Sequence, residues 1–305
     1  MRWIQLAFGL SATAGLLVAA LQAQVGVKGV VGRQLQGVGD YNQSIEDAMG
    51  GKTPDNKLPP PPAPETLKSG WLTRRSADGK PIRLYFAYKS TVSKAKPAAG
   101  LIVLQEWWGV NDDMQERTRE FAARGFYAVA PDLFNNKVTD DPVEAAKFKA
   151  AMTDGYALTA MKTGLDLLQE EEKNGVVDAK RVGAVGWCMG GQQSLLLSLA
   201  DPRVKATALF YGPLVTDPTK LKSLQGPILG IFGNDDKGPS PDDVKKWQEG
   251  LRAAGKTDVT VYPFDGVGHA FASKSAAKMG AYNEAKAKDA FDKMYAWMDA
   301  KLPRK

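Results

Sequence analysis

The sequence predicts a doubly wound α/β fold, with a mostly parallel sheet covered by helices on both faces. Two observations carry this. From about Gly70 onward, short unbroken apolar runs alternate with stretches of helical period, and strands lacking polar alternation are those buried on both sides. At the carboxyl end, Phe291, Met294, Tyr295, Met298 and Leu302 recur at helical spacing, which gives one apolar face to pack on a sheet.

The elements follow in order. Ile82 to Tyr88 alternates like an early strand, and Leu101 to Gln105 is a continuous apolar strand. Asn111 to Arg124 reads as a helix stopped by Gly125, and Tyr127 to Pro131 as the next strand. Thr159 to Glu172 is helical, Arg181 to Gly186 a buried strand, and Gly190 to Ala200 a helix. Strands at Ala206 to Tyr211, Ile228 to Phe232 and Val259 to Tyr262 complete the sheet, with a helix at Pro241 to Ala254. The domain runs from about residue 68 to 305.

Two stretches precede it. Arg2 is followed by an apolar run from Trp3 to Leu21 that ends in small residues, Ala19, Ala20 and Ala23. That is the pattern of a secretory signal cleaved after Ala23, with an uncleaved membrane anchor as the alternative. The expected location is periplasmic or secreted. Residues 24–67 lack apolar periodicity and contain Pro59 to Pro62 and Pro64, so they read as a linker.

Composition narrows the chemistry. The chain of 305 residues holds one histidine and one cysteine. A zinc or iron site built on clustered His and Cys is therefore excluded in practice, and no cofactor is expected. The formal charge of +6 is spread over interleaved acids and bases, not gathered in a basic stripe with aromatics, so no nucleic-acid partner is expected. The expected partner is a small molecule, the expected state a monomer, and membrane contact follows only if the amino-terminal segment stays uncleaved. Any chemistry that needs imidazole must use His269.

The strand at Arg181 to Val185 runs into Gly186-Trp187-Cys188-Met189-Gly190-Gly191 and then a helix. This strand–turn–helix is a nucleophile elbow with cysteine in place of serine. The residues two before and two after the nucleophile must lack side chains so that strand and helix can close on one another. The positive end of the helix also favours a thiolate at Cys188. In the α/β-hydrolase fold the acid follows the elbow and the histidine comes last. Asp235, in Gly233-Asn234-Asp235-Asp236, is taken as the acid, with Asp236 as the alternative; His269 follows on a glycine-rich loop. Asp235 then orients His269, which activates Cys188. At the end of Leu101 to Gln105 lies Glu106-Trp107-Trp108-Gly109. The backbone amides of Trp107 and Met189 are placed to form an oxyanion hole.

These motifs resemble a known family. Glu106-Trp-Trp-Gly-Val-Asn, Ala130-Pro-Asp-Leu133, Gly186-Trp-Cys-Met-Gly-Gly and Gly268-His-Ala-Phe271 are similar to those of the dienelactone hydrolases (carboxymethylenebutenolidases), from about Gly70 to Lys301. The resemblance implies a Cys188–His269–Asp235 triad, with Glu106 holding the thiol proton at rest, and a substrate of the enol-lactone kind. It also implies arginines that grip a substrate carboxylate, one on a cap helix and one just after the histidine motif. This chain has no arginine between Arg124 and Arg181, nor between His269 and Arg304. Lys147, Lys149 or Lys274 could bring charge without a bidentate fork, and Trp108 and Trp187, with Lys274, are the expected substrate contacts. The expected activity is hydrolysis of an activated ester or enol-lactone. A broad carboxylesterase or thioesterase, and a pocket-bearing binding protein without turnover, are the alternatives.

Overall fold

A computed structural model describes residues 66–303. The expected signal segment, nearly all of the expected linker, and Arg304 lie outside them. Eight strands form one sheet: β1 (Leu67–Arg75), β2 (Pro81–Lys89), β3 (Ala98–Leu104), β4 (Phe126–Pro131), β5 (Val177–Trp187), β6 (Ala206–Phe210), β7 (Ile228–Gly233) and β8 (Val259–Phe264). Their spatial order is β1-β2-β4-β3-β5-β6-β7-β8. The first two strands are antiparallel to their neighbours, and every pairing from β4 to β8 is parallel.

Helices α1 (Asp112–Ala123), α2 (Pro142–Ala151), α3 (Asp154–Lys173), α4 (Met189–Ala200), the short α5 (Pro218–Leu221) and α6 (Pro241–Ala253) lie between the strands, and α7 (Glu284–Lys301) follows the last of them. Capping fixes their starts. Asn111 accepts from the Met114 amide at α1, and Ser240 with Asp243 forms a capping box at α6.

The period of two along each strand divides the core between the faces of the sheet. On β3, Leu101 and Val103 belong to one cluster and Ile102 and Leu104 to another; on β5, Val185 and Trp187 separate from Val182 and Ala184 in the same way. The first cluster gathers Phe121 of α1 with Met294 and Met298 of α7, and the second gathers Leu165 and Leu168 of α3.

Strand β1, helix α2 and the four-residue α5 went unread in the sequence. Strand β1 is an edge, mostly exposed and rich in charge, so burial left little apolar signal in it. Helix α2 buries only Ala145, and one buried position makes no stripe. Helix α3 also starts earlier than its apolar spacing suggests, because Thr153 caps it by accepting from the Tyr156 amide.

Candidate active site

The site lies past the carboxyl ends of the parallel strands, where open α/β sheets place their ligands. Strand β5 is central, and Cys188 follows its last residue and caps α4. Its backbone sits at φ 54° and ψ −119°, a positive-φ conformation that a non-glycine residue adopts only when its surroundings enforce it. The glycines around it do the enforcing. A Cβ on Gly186 would meet the Gly190 carbonyl oxygen at 2.1 Å, and one on Gly190 would meet that of Leu104 at 2.2 Å. Any side chain at either position would push α4 off β5 or β3. The second contact also brings the Met189 end of α4 against the end of β3, from which Glu106 and Trp107 continue. Met189 is the first residue of α4, so its amide is among the four that no helix carbonyl takes.

His269 arrives on the loop after β8. A Cβ on Gly233 would meet the Val267 carbonyl oxygen at 2.2 Å, so that loop lies directly on the end of β7. His269 Nε2 stands 3.1 Å from Cys188 Sγ, and Nδ1 stands 2.9 Å from Asp236 Oδ2. The carboxylate that meets His269 is thus Asp236, which corrects the assignment of Asp235. The reason is turn geometry. The Asn234 and Asp235 amides pair with Phe264 and Val267 carbonyls, and the Asp236 amide closes a turn on Gly233. The chain travels one residue further before a side chain points inward. Asp235 is left exposed, whereas Asp236 is buried at 4% and also accepts from the Gly238 amide.

Burial disfavours the imidazolium, but the hydrogen bonds to Asp236 and Cys188 outweigh it and lift the pKa of His269 from 6.5 to about 10. The folded chain therefore keeps a proton that the unfolded chain releases above about pH 6.5. The stability this contributes is complete below that pH and disappears as pH rises through about 10. The stability difference between wild type and His269→Gln is accordingly expected to be larger at pH 6 than at pH 10 by urea unfolding; a constant difference contradicts the pairing.

Glu106 is buried at 3%. Its Oε1 accepts from the Tyr211 hydroxyl at 3.3 Å, and its Oε2 from the Ser273 hydroxyl at 2.5 Å. Both oxygens thus face hydroxyl donors, and the thiol of Cys188 is engaged with His269. In this conformation Glu106 does not hold the thiol proton, a correction to the expectation drawn from the resemblance. Burial raises its pKa, while Arg117, Ser273 and Tyr211 pull it back.

The substrate contacts need correction too. Trp187 is wholly buried, against Phe121, Phe210 and Phe291, and Trp108 is 3% exposed. Neither presents a surface to a ligand. Trp107 packs edge-on against Trp108 with centroids 5.0 Å apart and is itself only partly buried. Lys274 lines two surface clefts with Asp113, one against α7 and one beside Asp140; no triad residue lines either. Tyr211, Ser273 and Arg117 were missed. Tyr211 carried one signal, as the polar end of an apolar strand.

A strained cysteine between strand and helix, joined through the only histidine to a buried aspartate on a mostly parallel sheet, defines an α/β-hydrolase. A family model for the dienelactone hydrolase family matches residues 85–302. The chain belongs to that family and is a carboxylic ester hydrolase. It is 30% identical over 250 residues to "Putative carboxymethylenebutenolidase" of Salmonella typhimurium, covering 77% of this chain and 88% of that one. A like-named protein of Methylorubrum extorquens is 29% identical over 232 residues, covering 69% and 75%. The crystal structure of "Putative Dienelactone Hydrolase" from Klebsiella pneumoniae superposes with a TM-score of 0.66 at 26% identity, covering 76% of this chain and 98% of the other.

Proposed function

We propose that this hydrolase opens activated esters or enol-lactones by covalent catalysis through Cys188. The observation that carries the reading is the relay Cys188–His269–Asp236, with contacts of 3.1 and 2.9 Å. The sulfur, its proton taken by His269, adds to the carbonyl carbon. The oxyanion that forms is held by the amides of Met189 and Trp107. Collapse breaks the carbon–oxygen bond of the leaving group, which takes the proton from His269 and leaves an acyl-thioester on Cys188. Water, deprotonated by His269, then releases the acid and restores the thiol. Asp236 keeps the ring in the tautomer and orientation that both halves need.

A thiolate is itself a good leaving group, so a tetrahedral adduct with an ordinary alkyl ester tends to expel the enzyme. Substrates whose departing oxygen is stabilised, such as enol esters, escape this. Cysteine at the elbow therefore favours activated substrates over simple alkyl esters.

The resemblance implies a grip on a substrate carboxylate by arginines, and this chain has none between His269 and Arg304 or across residues 125–180. A site built to hydrogen-bond a group rejects analogues without it by large factors, because its own donors are left unpaired. Without that grip, kcat/KM for a neutral enol-lactone is expected within about tenfold of that for its carboxylated analogue, a gap near 1.4 kcal/mol. Steady-state kinetics on the matched pair decides this. A thousandfold preference for the carboxylate would contradict the argument and show that another cation supplies that grip.

A further inference from the structure

Arg117 lies outside the catalytic relay and is buried at 4%. It projects from α1 into the space between the sheet and α7, with its guanidinium carbon 4.8 Å from the Trp187 ring centroid and 4.7 Å from that of Phe291. Its Nη2 donates to the Ala272 carbonyl at 2.7 Å. It pairs with Asp113 on the next turn back at 3.3 Å, and its Nη1 finds no hydrogen-bond partner among the described residues. Asp113 is its nearest negative charge, and a guanidinium this deep draws on further negative charge around it. The other buried carboxylate that it feels is Glu106.

We propose that Arg117 is a positioning residue of this site: it fixes the Ala272–Ser273 segment and supplies the buried positive charge that Glu106 faces. This rests on the reading that Glu106 belongs to the catalytic site. The backbone bond to Ala272 places the next residue, Ser273, whose hydroxyl donates to Glu106. The same loop carries His269 three residues earlier. Asn111 and Asp113 of α1 hold it further along, through Ser275, and the Asn283 amide holds Phe271. One cation thus steadies the histidine loop and Glu106 together.

The groups that act on Glu106 are Arg117 and Asp113 from α1, Tyr211 from the end of β6, and Ser273 from the histidine loop. Tyr211 in turn faces Cys188. Among these Arg117 is the one permanent cation. Its loss leaves the carboxylate to desolvation and to Asp113, both of which favour the neutral acid.

The test is a carbon-13 NMR titration of the full chain labelled at glutamate carboxyl carbons, with Glu106 identified by the signal lost in Glu106→Gln. Arg117→Met, which keeps the length and the aromatic stacking, is expected to raise the Glu106 midpoint by at least about one pH unit. Arg117→Lys is expected to hold it within about half a unit, because the charge remains. An unmoved midpoint in Arg117→Met overturns the proposal. If that variant does not fold, Arg117→Gln decides: loss of the charge raises the midpoint, and an unchanged or lowered one overturns the proposal. No substrate is needed, so failure of the covalent mechanism would leave this result standing. On hydrolysis, Arg117→Met is expected to cost about tenfold in kcat/KM alone and less than about twofold on top of Glu106→Gln, the non-additivity of a coupled pair. Additive losses would give Arg117 a structural role only.

Discussion

Replacing Cys188 with alanine is expected to reduce ester hydrolysis by more than about 10⁴-fold, because the nucleophile and its base act as a unit. The fold is expected to survive. Cys188 is only partly buried, and its side chain makes no capping bond to α4. Alanine must adopt the same positive φ, but so must cysteine, so the strain does not grow. The residue packs against the core on both faces of the sheet only as a partly buried side chain, so its loss removes chemistry far more than packing. A thermal unfolding curve superimposable on wild type, together with lost turnover of p-nitrophenyl acetate, is the expected pair of results. Retention of more than a few per cent of kcat, with contaminating esterase excluded, removes Cys188 from the mechanism.

The second large effect separates two neighbouring aspartates. Asp236→Asn is expected to lower kcat/KM by about 10² to 10⁴, since an amide that donates to Nδ1 selects the wrong tautomer of His269 and withdraws the charge opposite its imidazolium. Asp236 is buried and meets His269 at 2.9 Å, so water cannot replace it. Asp235→Asn is expected to change kcat/KM by less than about twofold, because that side chain is exposed and the residue pairs with the histidine loop only through its backbone amide. The two variants share one turn and one charge change, and thermal unfolding of both separates a loss of catalysis from a loss of fold. A larger loss in Asp235→Asn would mean that the turn rearranges when substrate binds.

These two results depend on parts of the site that were unequally legible in the sequence. The elbow was readable because its requirement is steric: Gly186 and Gly190 sit where a Cβ would strike a backbone carbonyl at close to 2 Å, and few residue patterns satisfy that. His269 was readable because it is the only imidazole. The acid was off by one residue. A period-two strand predicts which side chain points inward until the strand ends, and the turn from Gly233 to Asp236 obeys hydrogen bonds to the next loop instead.

Trp187 shows the reverse. Its position two residues after Val185 on an apolar strand already placed it on the face under α7, and the strand period contradicted its reading as a substrate contact. The surroundings of Glu106 were beyond reach of the sequence. Tyr211 and Ser273 come from elements 105 and 167 residues away along the chain, and Arg117 looks like an ordinary charge on a helix whose first turn is acidic. Only the packed fold makes these three neighbours.

The most direct test of the covalent mechanism is to trap its intermediate. Mixing the protein with p-nitrophenyl acetate, quenching in acid within the first turnover and mapping the peptides by mass spectrometry is expected to find a single acetyl group on Cys188, formed in a burst with one equivalent of p-nitrophenol. Glu106→Gln is expected to keep that adduct, and Cys188→Ser to carry it, if at all, on the serine oxygen. Steady turnover with no acetyl group on Cys188 at any quench time, or an acetyl group on another residue that forms at the burst rate, would contradict the mechanism.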